Sequence, residues 1–218
     1  EHGTIQSWAS PRHIAVSVSD LPSHTPAVEN LVTGPPAKAA FRDGEPTKAA
    51  IGFAKGKGAD VSQLQIVDSK RGPVVAILVQ SGGDSIIEKI ATGLESVLSQ
   101  IPFKKKMKWG DGTYSWARPI HSLIACYNNT LIPCSVFGIQ SQTQAQGHRL
   151  SPEPFTATNA EQWCDGMRNN WIEPNPIKRR TLIEEQLQAK ADSIGAVIHD
   201  MDLVDEVQNL VEWPVTIV

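Results

Sequence analysis

The hydrophobic pattern alternates between the two-residue period of strands and the 3.6-residue period of helices. Ile14, Val16 and Val18 alternate with mostly polar residues, as on the buried face of a half-buried strand. Residues 73–80 are almost wholly apolar, as in a strand covered on both faces. Strands are predicted at residues 12–20, 73–80, 119–127, 131–137, 196–198 and 213–218. Asn128-Asn129 separates two of them and predicts a hairpin turn.

Helices are predicted where apolar residues recur every three or four positions between capping residues. The strongest pattern follows Gly82-Gly83-Asp84, places isoleucines and leucines on one face and ends before Pro102. Asn159 and Asn175-Pro176 are typical N-terminal caps, and Gly195 is a typical C-terminal exit. The predicted helices cover residues 46–54, 86–98, 160–167, 176–194 and 200–210.

Because strand and helix signals are mixed without strict alternation, we predict an α+β or mixed α/β fold, with a mixed sheet and packed helices. The 218 residues suit one large domain or two small ones. Sub-parts 1–150 and 151–218 are expected to form one α/β body. The start at Glu1 without methionine and the apolar end at residues 213–218 suggest an internal fragment of a longer polypeptide.

Composition restricts the class of protein. No apolar run approaches the roughly 20 residues that span a bilayer, so no membrane partner is expected. The odd number of cysteines, three at wide spacing, indicates neither a zinc site nor a disulfide framework and favours a reducing, cytoplasmic compartment. With a net charge of -3, any contact with nucleic acid must come from a local basic surface.

The residues from 103 to 121 form such a local basic stretch. Four lysines and one arginine against one aspartate give this stretch a net charge of +4, and Trp109 and Trp116 lie among them. Positive charge interleaved with tryptophan is typical of a surface that binds phosphate and stacks on bases. The alternative is a solvated edge that keeps the chain soluble. The candidate RNA-binding residues are Lys104, Lys105, Lys106, Lys108, Arg118, His121 and Arg149.

Other candidate chemistry is weaker. Gly82-Gly83-Asp84 lacks the following lysine and serine or threonine of a phosphate-binding loop, so a plain turn is favoured. His121, His148 and His199 have no nucleophile or ligand partner at the spacing of a known motif. We therefore assign no catalytic residue and no metal site.

Seven stretches, in order along the chain, together resemble the beta chain of the bacterial-type, heterotetrameric glycyl-tRNA synthetase. They are Ser10–Ala15, Gly34–Ala40 with Gly44–Ala54, Lys106–Gly110, Arg118–His121, Val136–Gly138, Gly147–Arg149, and Leu203–Val207 with Leu210–Val215. The family usually has arginine at the positions of His13 and Lys108 and tryptophan at that of Ser122, so roles that need those side chains are not carried over.

The resemblance implies a part in attaching glycine to its tRNA. It places glycine, ATP, magnesium and the class II active site on the alpha subunit, or on a fused alpha region. It assigns tRNA binding to the beta chain. No cofactor is then expected in this chain, whose partners would be the alpha subunit and glycine tRNA. The chain would be a noncatalytic, tRNA-contacting and scaffolding part, inactive alone.

Two alternatives stay open from the sequence. One is an editing-type hydrolase that uses His121 or His148 near Cys134. The other is a purely structural module that touches no RNA.

Overall fold

The fold is that of a computed structural model, which describes residues 2–70, 72–151 and 153–217. It is an α+β fold, so the predicted class is confirmed. The helices are α1 (Ala37–Ala40), α2 (Lys48–Gly56), α3 (Ile86–Ser99), α4 (Ala160–Asn169), α5 (Pro176–Ile194) and α6 (Leu203–Val207), with a short 3₁₀ helix at Val61–Gln63.

Most strands are short, and all of them pair in antiparallel fashion within several small sheets instead of one mixed sheet. They are β1 (Ile5–Ala9), β2 (Ile14–Val18), β3 (Val28–Pro36), β4 (Phe41–Arg42), β5 (Glu45–Pro46), β6 (Gln65–Ser69), β7 (Gly72–Ser81), β8 (Met107–Trp109), β9 (Tyr114–Trp116), β10 (Cys126–Tyr127), β11 (Thr130–Leu131), β12 (Ser135–Val136), β13 (Ile139–Gln140), β14 (Gln144–Ala145) and β15 (Phe155–Thr156).

The chain folds into two compact units. The larger contains the residues up to Pro22 together with those from Ile87 onward, and the smaller contains Ser23–Ile86. These boundaries differ from the predicted sub-parts 1–150 and 151–218, and that division stays a prediction.

The smaller unit is a three-stranded sheet in the order β3-β7-β6, with α1 and α2 packed on it. Its core consists of Ala40, Ala50 and Val75, which are fully buried, with half-buried aromatic and aliphatic neighbours around them. Gly34 is required in β3, because a Cβ there would lie 2.7 Å from the ring of Phe53. Close packing of this ring on the strand fixes α2 against the sheet.

The larger unit contains two adjoining apolar clusters along α3. Leu94 of this helix packs against both clusters, whose buried residues are Ala125, Ile132 and Cys134 in one and Trp116, Val136 and Phe137 in the other. The helix starts and stops as the sequence predicts. Ile87 and Val97, however, are 36% and 62% exposed, and the other apolar residues of this face are half-buried, so the face is narrower and less covered than predicted.

The caps of α4 and α5 confirm the sequence prediction. The side chain of Asn175 accepts hydrogen bonds from the backbone N–H groups of Ile177 and Lys178, at 2.9 and 3.1 Å. Pro176 occupies the first turn of α5, where a missing N–H removes no helical hydrogen bond. Gly195 ends the helix in the left-handed conformation.

The predicted hairpin at Asn128-Asn129 also forms, but it is short. Both residues have positive φ (47° and 63°), as a two-residue turn requires, and the paired strands are only β10 and β11. The rest of the predicted strands 119–127 and 131–137 is irregular apart from β12 and a single β-bridge between Leu123 and Ser141. Asparagine is among the few non-glycine residues that tolerate this backbone conformation.

The predicted buried face of the first strand is wrong. Ile14 and Val16 in β2 are 65% and 63% exposed, and Val18 is 36% exposed. Trp8, on the opposite face of the β1–β2 hairpin, is half-buried, with its ring centroid 6.4 Å from that of Trp163 in α4. Alternation shows which residues share a face, but the large Trp8 ring decides which face packs.

The predicted strands at 196–198 and 213–218 are wrong over the described residues, and Val218 lies outside them. Trp213, Val215 and Ile217 are 43%, 68% and 85% exposed. Gln186 of α5 donates to the carbonyl of Pro214 and accepts from the N–H of Thr216, so a side chain takes the place of a partner strand. The predicted acidic helix at 200–210 forms in shorter form as α6.

Candidate nucleic-acid interface

The lysine tract, Lys104, Lys105, Lys106 and Lys108, is exposed to solvent. It follows the end of α3 and continues into β8, where Lys108 pairs in register with Ser115. Lys106 Nζ donates to the Ser99 carbonyl at 3.2 Å, so this lysine caps the C-terminal end of α3. Within the described residues, no carboxylate lies within ion-pair distance of the four ammonium groups.

The tryptophans beside the lysine tract do not form a base-stacking surface. Trp116 is 7% exposed and lies edge-on to Phe103, with the ring centroids 4.7 Å apart. Trp109 is half-buried and packs around Phe137 together with Tyr114. The stacking interpretation is therefore wrong for Trp116, whose ring is buried in the apolar cluster, and the half-buried Trp109 exposes only part of its ring. The aromatic residues instead hold the β8–β9 hairpin from which Lys108 projects.

A second basic surface lies in the same unit, in a shallow groove of about 400 Å³. We call it the arginine groove. It is lined by Pro11, Arg12, Arg118, His148, Arg149 and the segment from Leu210 to Trp213. The structure thus brings together Arg118 and Arg149, two of the predicted site residues. His121 is exposed and, like the four lysines, is not among the described residues that line the groove.

The loop that carries Arg149 is held firmly on both sides. A Cβ at Gly147 would lie 2.2 Å from the Cβ of Asn170, so only glycine fits there. The N–H of His148 donates to the Asn170 carbonyl at 2.9 Å, and the Ser151 hydroxyl contacts the same residue's side chain. These contacts to α4's last turn fix the turn at whose tip Arg149 is exposed.

Arg118 is placed by its neighbours in sequence. Trp116, two residues earlier, is anchored in the apolar cluster, while Pro119 follows directly and restricts Arg118 to extended conformations. Arg118 itself is exposed. The buried Trp116 and the restricted backbone before Pro119 therefore place Arg118 at the groove.

Glu212 is the buried acid of the groove, with a side chain only 6% exposed. The Arg12 guanidinium donates through Nε to Oε1 at 3.1 Å and through a second nitrogen to Oε2, a two-point pair. His13 Nδ1 lies 3.4 Å from Oε1. Burial alone would raise the pKa of Glu212, but the hydrogen bonds from His13 and Arg12 and the charge of Arg12 outweigh it and lower the pKa to about 2.

His148 completes this arrangement. Its Nδ1 accepts from the Leu150 N–H at 3.3 Å, which places the ring proton of the neutral form on Nε2. That nitrogen lies 4.0 Å from Oε2 of Glu212. The carboxylate is thus neutralised by Arg12 and faced by two imidazoles, while Arg118 and Arg149 supply the remaining positive charge.

The hydrolase alternative gains no support from the geometry. Cys134 is buried beside Ala125 and Ile132, and within the described residues no hydrogen bond joins it to a histidine. Burial raises the pKa of the Cys126 and Cys164 thiols, which disfavours the reactive thiolate. Across residues 2–70, 72–151 and 153–217, no cluster of metal-binding side chains and no helix suited to crossing a membrane is found.

Comparison with known sequences decides the family. The family described as glycyl-tRNA synthetase beta subunit matches residues 1–218, the whole chain. The chain belongs to this family. The glycine-tRNA ligase beta subunit of Geobacter sulfurreducens is 34% identical over 215 residues, which are 97% of this chain and 31% of the relative. That of Acaryochloris marina is 33% identical over 221 residues, 99% of this chain and 31% of the relative.

The beta subunit of Chromohalobacter salexigens is 32% identical over 213 residues. The chain therefore spans about a third of the length of these beta subunits, 31% in each case.

Four of the stretches by which this member resembles its family meet at the arginine groove. Arg12, Arg118, Arg149 and Glu212 each come from a different one, and Arg12 and Glu212 are 200 residues apart. Arg12, Glu212 and Trp213 were not among the site residues predicted from the sequence. The sequence does show that these residues lie within the family stretches, but only the fold brings them together in one groove.

Proposed function

We propose that this chain is a noncatalytic part of glycyl-tRNA synthetase that contacts glycine tRNA and supports the assembly of the enzyme. Membership of the beta subunit family supports the enzyme. The exposed lysine tract is the observation that supports the tRNA contact. Its ammonium groups form no ion pair with a described residue, so they are available to bind the phosphates of a polyanion.

The proposed partner is the alpha subunit, or a fused alpha region, which would hold glycine, ATP and magnesium. The enzyme would act in the cytoplasm. In this chain, the buried polar contacts around Glu212 and Arg179 are internal hydrogen bonds that hold the unit together. They suit a supporting body more than a site of bond formation.

The test is a variant of the complete synthetase in which Lys104, Lys105, Lys106 and Lys108 are changed to glutamine. The side chains of three of these lysines, Lys104, Lys105 and Lys108, form no hydrogen bond with a described residue. Every lysine that no longer neutralises a phosphate should lower the slope of log affinity against log salt by roughly 0.7 to 0.9. We expect weaker tRNA binding and a slope reduced by about 2 to 3, measured by filter binding over a series of salt concentrations.

A matched control changes four exposed lysines of the smaller unit, Lys38, Lys48, Lys55 and Lys57, to glutamine. The net charge changes equally, so the control separates local contact from long-range attraction. Exchange of pyrophosphate into ATP with glycine, which needs no tRNA, shows whether the alpha subunit stays intact. An equal decrease in affinity in both variants, or unchanged affinity in both, would leave the tract as a solvated edge.

A further inference from the structure

We propose that the arginine groove binds one nucleotide of the tRNA, with the phosphate on Arg118 and Arg149 and the base on Trp213. This assignment rests on the proposed function, because it names where the tRNA would be held beyond the lysine tract. It is a site of different chemistry, since the lysine tract offers charge alone and the groove combines charge with an exposed indole.

Most arginines of the larger unit are already paired within the chain. Four of the six are engaged with other groups of the chain: Arg12 with Glu212, Arg168 with Asp165 and Glu173, Arg179 with three backbone carbonyls, and Arg180 with Glu184 and Asp205. Within the described residues, neither Arg118 nor Arg149 has an acidic partner. Both residues line the same groove, so the groove offers two arginines that no carboxylate of the described residues neutralises.

The groove has a positive local charge. Arg12 and Glu212 form a two-point pair and cancel, and the low pKa of Glu212 keeps it charged and paired at neutral pH. Arg118 and Arg149 then leave the groove with a net charge of +2 from its arginines and its acid. The Arg12–Glu212 pair also connects the loop at Arg12 to the segment that carries Trp213, and so fixes the position of that segment. An anion entering the groove meets two guanidiniums and a carboxylate already neutralised.

Trp213 offers the groove an aromatic ring. Its side chain is 43% exposed, yet the backbone is fixed on both sides. The N–H of Glu173 donates to the Glu212 carbonyl at 2.9 Å, and Gln186 donates to the Pro214 carbonyl at 3.2 Å. An exposed indole on a fixed backbone beside arginines is the arrangement on which nucleic-acid bases stack. The groove volume, about 400 Å³, is in the range of sites for small ligands.

The test uses the complete synthetase and glycine tRNA. The R118Q/R149Q variant should bind tRNA more weakly and reduce the salt slope by about 1 to 2. The W213L variant should weaken binding roughly tenfold without changing the slope, and W213F, which keeps an aromatic face, should restore most of the affinity. The matched control is R42Q/K57Q, which removes two exposed charges from the smaller unit.

The outcomes separate this site from the proposed function. If the lysine-tract variant loses affinity while R118Q/R149Q and W213L bind like the control, the groove assignment is wrong and the proposed function stands. If none of the variants loses affinity, both fail. If R118Q/R149Q weakens association with the alpha subunit in sedimentation instead of tRNA binding, the groove is a protein interface and the nucleotide assignment is overturned.

Discussion

Replacing Glu212 by glutamine removes the buried carboxylate that links Arg12 to the segment before Trp213. The folded protein lowers the pKa of this group from 4.5 to about 2. A tenfold change in proton affinity corresponds to about 1.4 kcal/mol, so the lowered pKa corresponds to roughly 3 kcal/mol of stability. Water in the open groove screens the pair, since Arg12 is 37% exposed, and we expect about 2 kcal/mol at neutral pH.

The sign of the pH dependence follows from the direction of the shift. A lowered pKa means that the stabilisation is fully present above about pH 4.5 and is lost as the pH falls toward 2. At pH 3 roughly half of it should be gone. The glutamine variant lacks this titration. The free energy of unfolding should therefore differ most between parent and variant at pH 7, and the difference should narrow between pH 5 and pH 3.

The assay is urea unfolding of the chain at several pH values, followed by tryptophan fluorescence. The matched control is E206Q, at an exposed glutamate in α6 whose side chain forms no ion pair with a described residue. E206Q should change stability by less than about 0.5 kcal/mol at every pH. A variant E212Q as stable as the parent at pH 7, or less stable by the same amount from pH 7 to pH 3, would refute the account of this pair.

Two further predictions concern packing. R179M should lower the free energy of unfolding by about 3 kcal/mol, because Arg179 is 1% exposed and donates to the carbonyls of three chain segments. The control R180M, at a half-buried ion pair, should lower it by less than about 1 kcal/mol. Similar decreases in both variants would contradict this. G166A should lower the free energy of unfolding by about 1 to 3 kcal/mol, since the new Cβ would lie 2.1 Å from the Phe155 ring. G93A in α3 places its Cβ in open space and should leave stability unchanged or increase it. Thermal unfolding measures both, and a G166A variant as stable as the parent would contradict the packing of Phe155 against Gly166.

The elements that could be predicted are those whose signals are local. Asn175, Pro176 and Gly195 each act through their own backbone conformation or their own side chain, so the bounds of α5 follow from the sequence. The same holds for the turn at Asn128-Asn129. The exposure of the lysine tract also follows, because burying several unpaired ammonium groups is too costly.

What could not be predicted depends on distant partners. The alternation in β2 is real, but its apolar face is exposed because Trp8 packs on the other side of the hairpin. The segment from Trp213 has a strand-like pattern but finds a glutamine side chain where a strand would be needed. The arginine groove depends on residues up to 200 positions apart, such as Arg12 and Glu212, which no local pattern connects.

The central claim, that this part of the beta subunit touches tRNA, is tested most directly by ultraviolet cross-linking of glycine tRNA to the complete synthetase, followed by mass spectrometry of the linked peptides. We expect cross-linked peptides that contain the lysine tract, and also Trp213 if the groove assignment is right. Cross-links confined to the rest of the enzyme, with none in the peptides of this chain, would contradict the claim and leave a purely structural module.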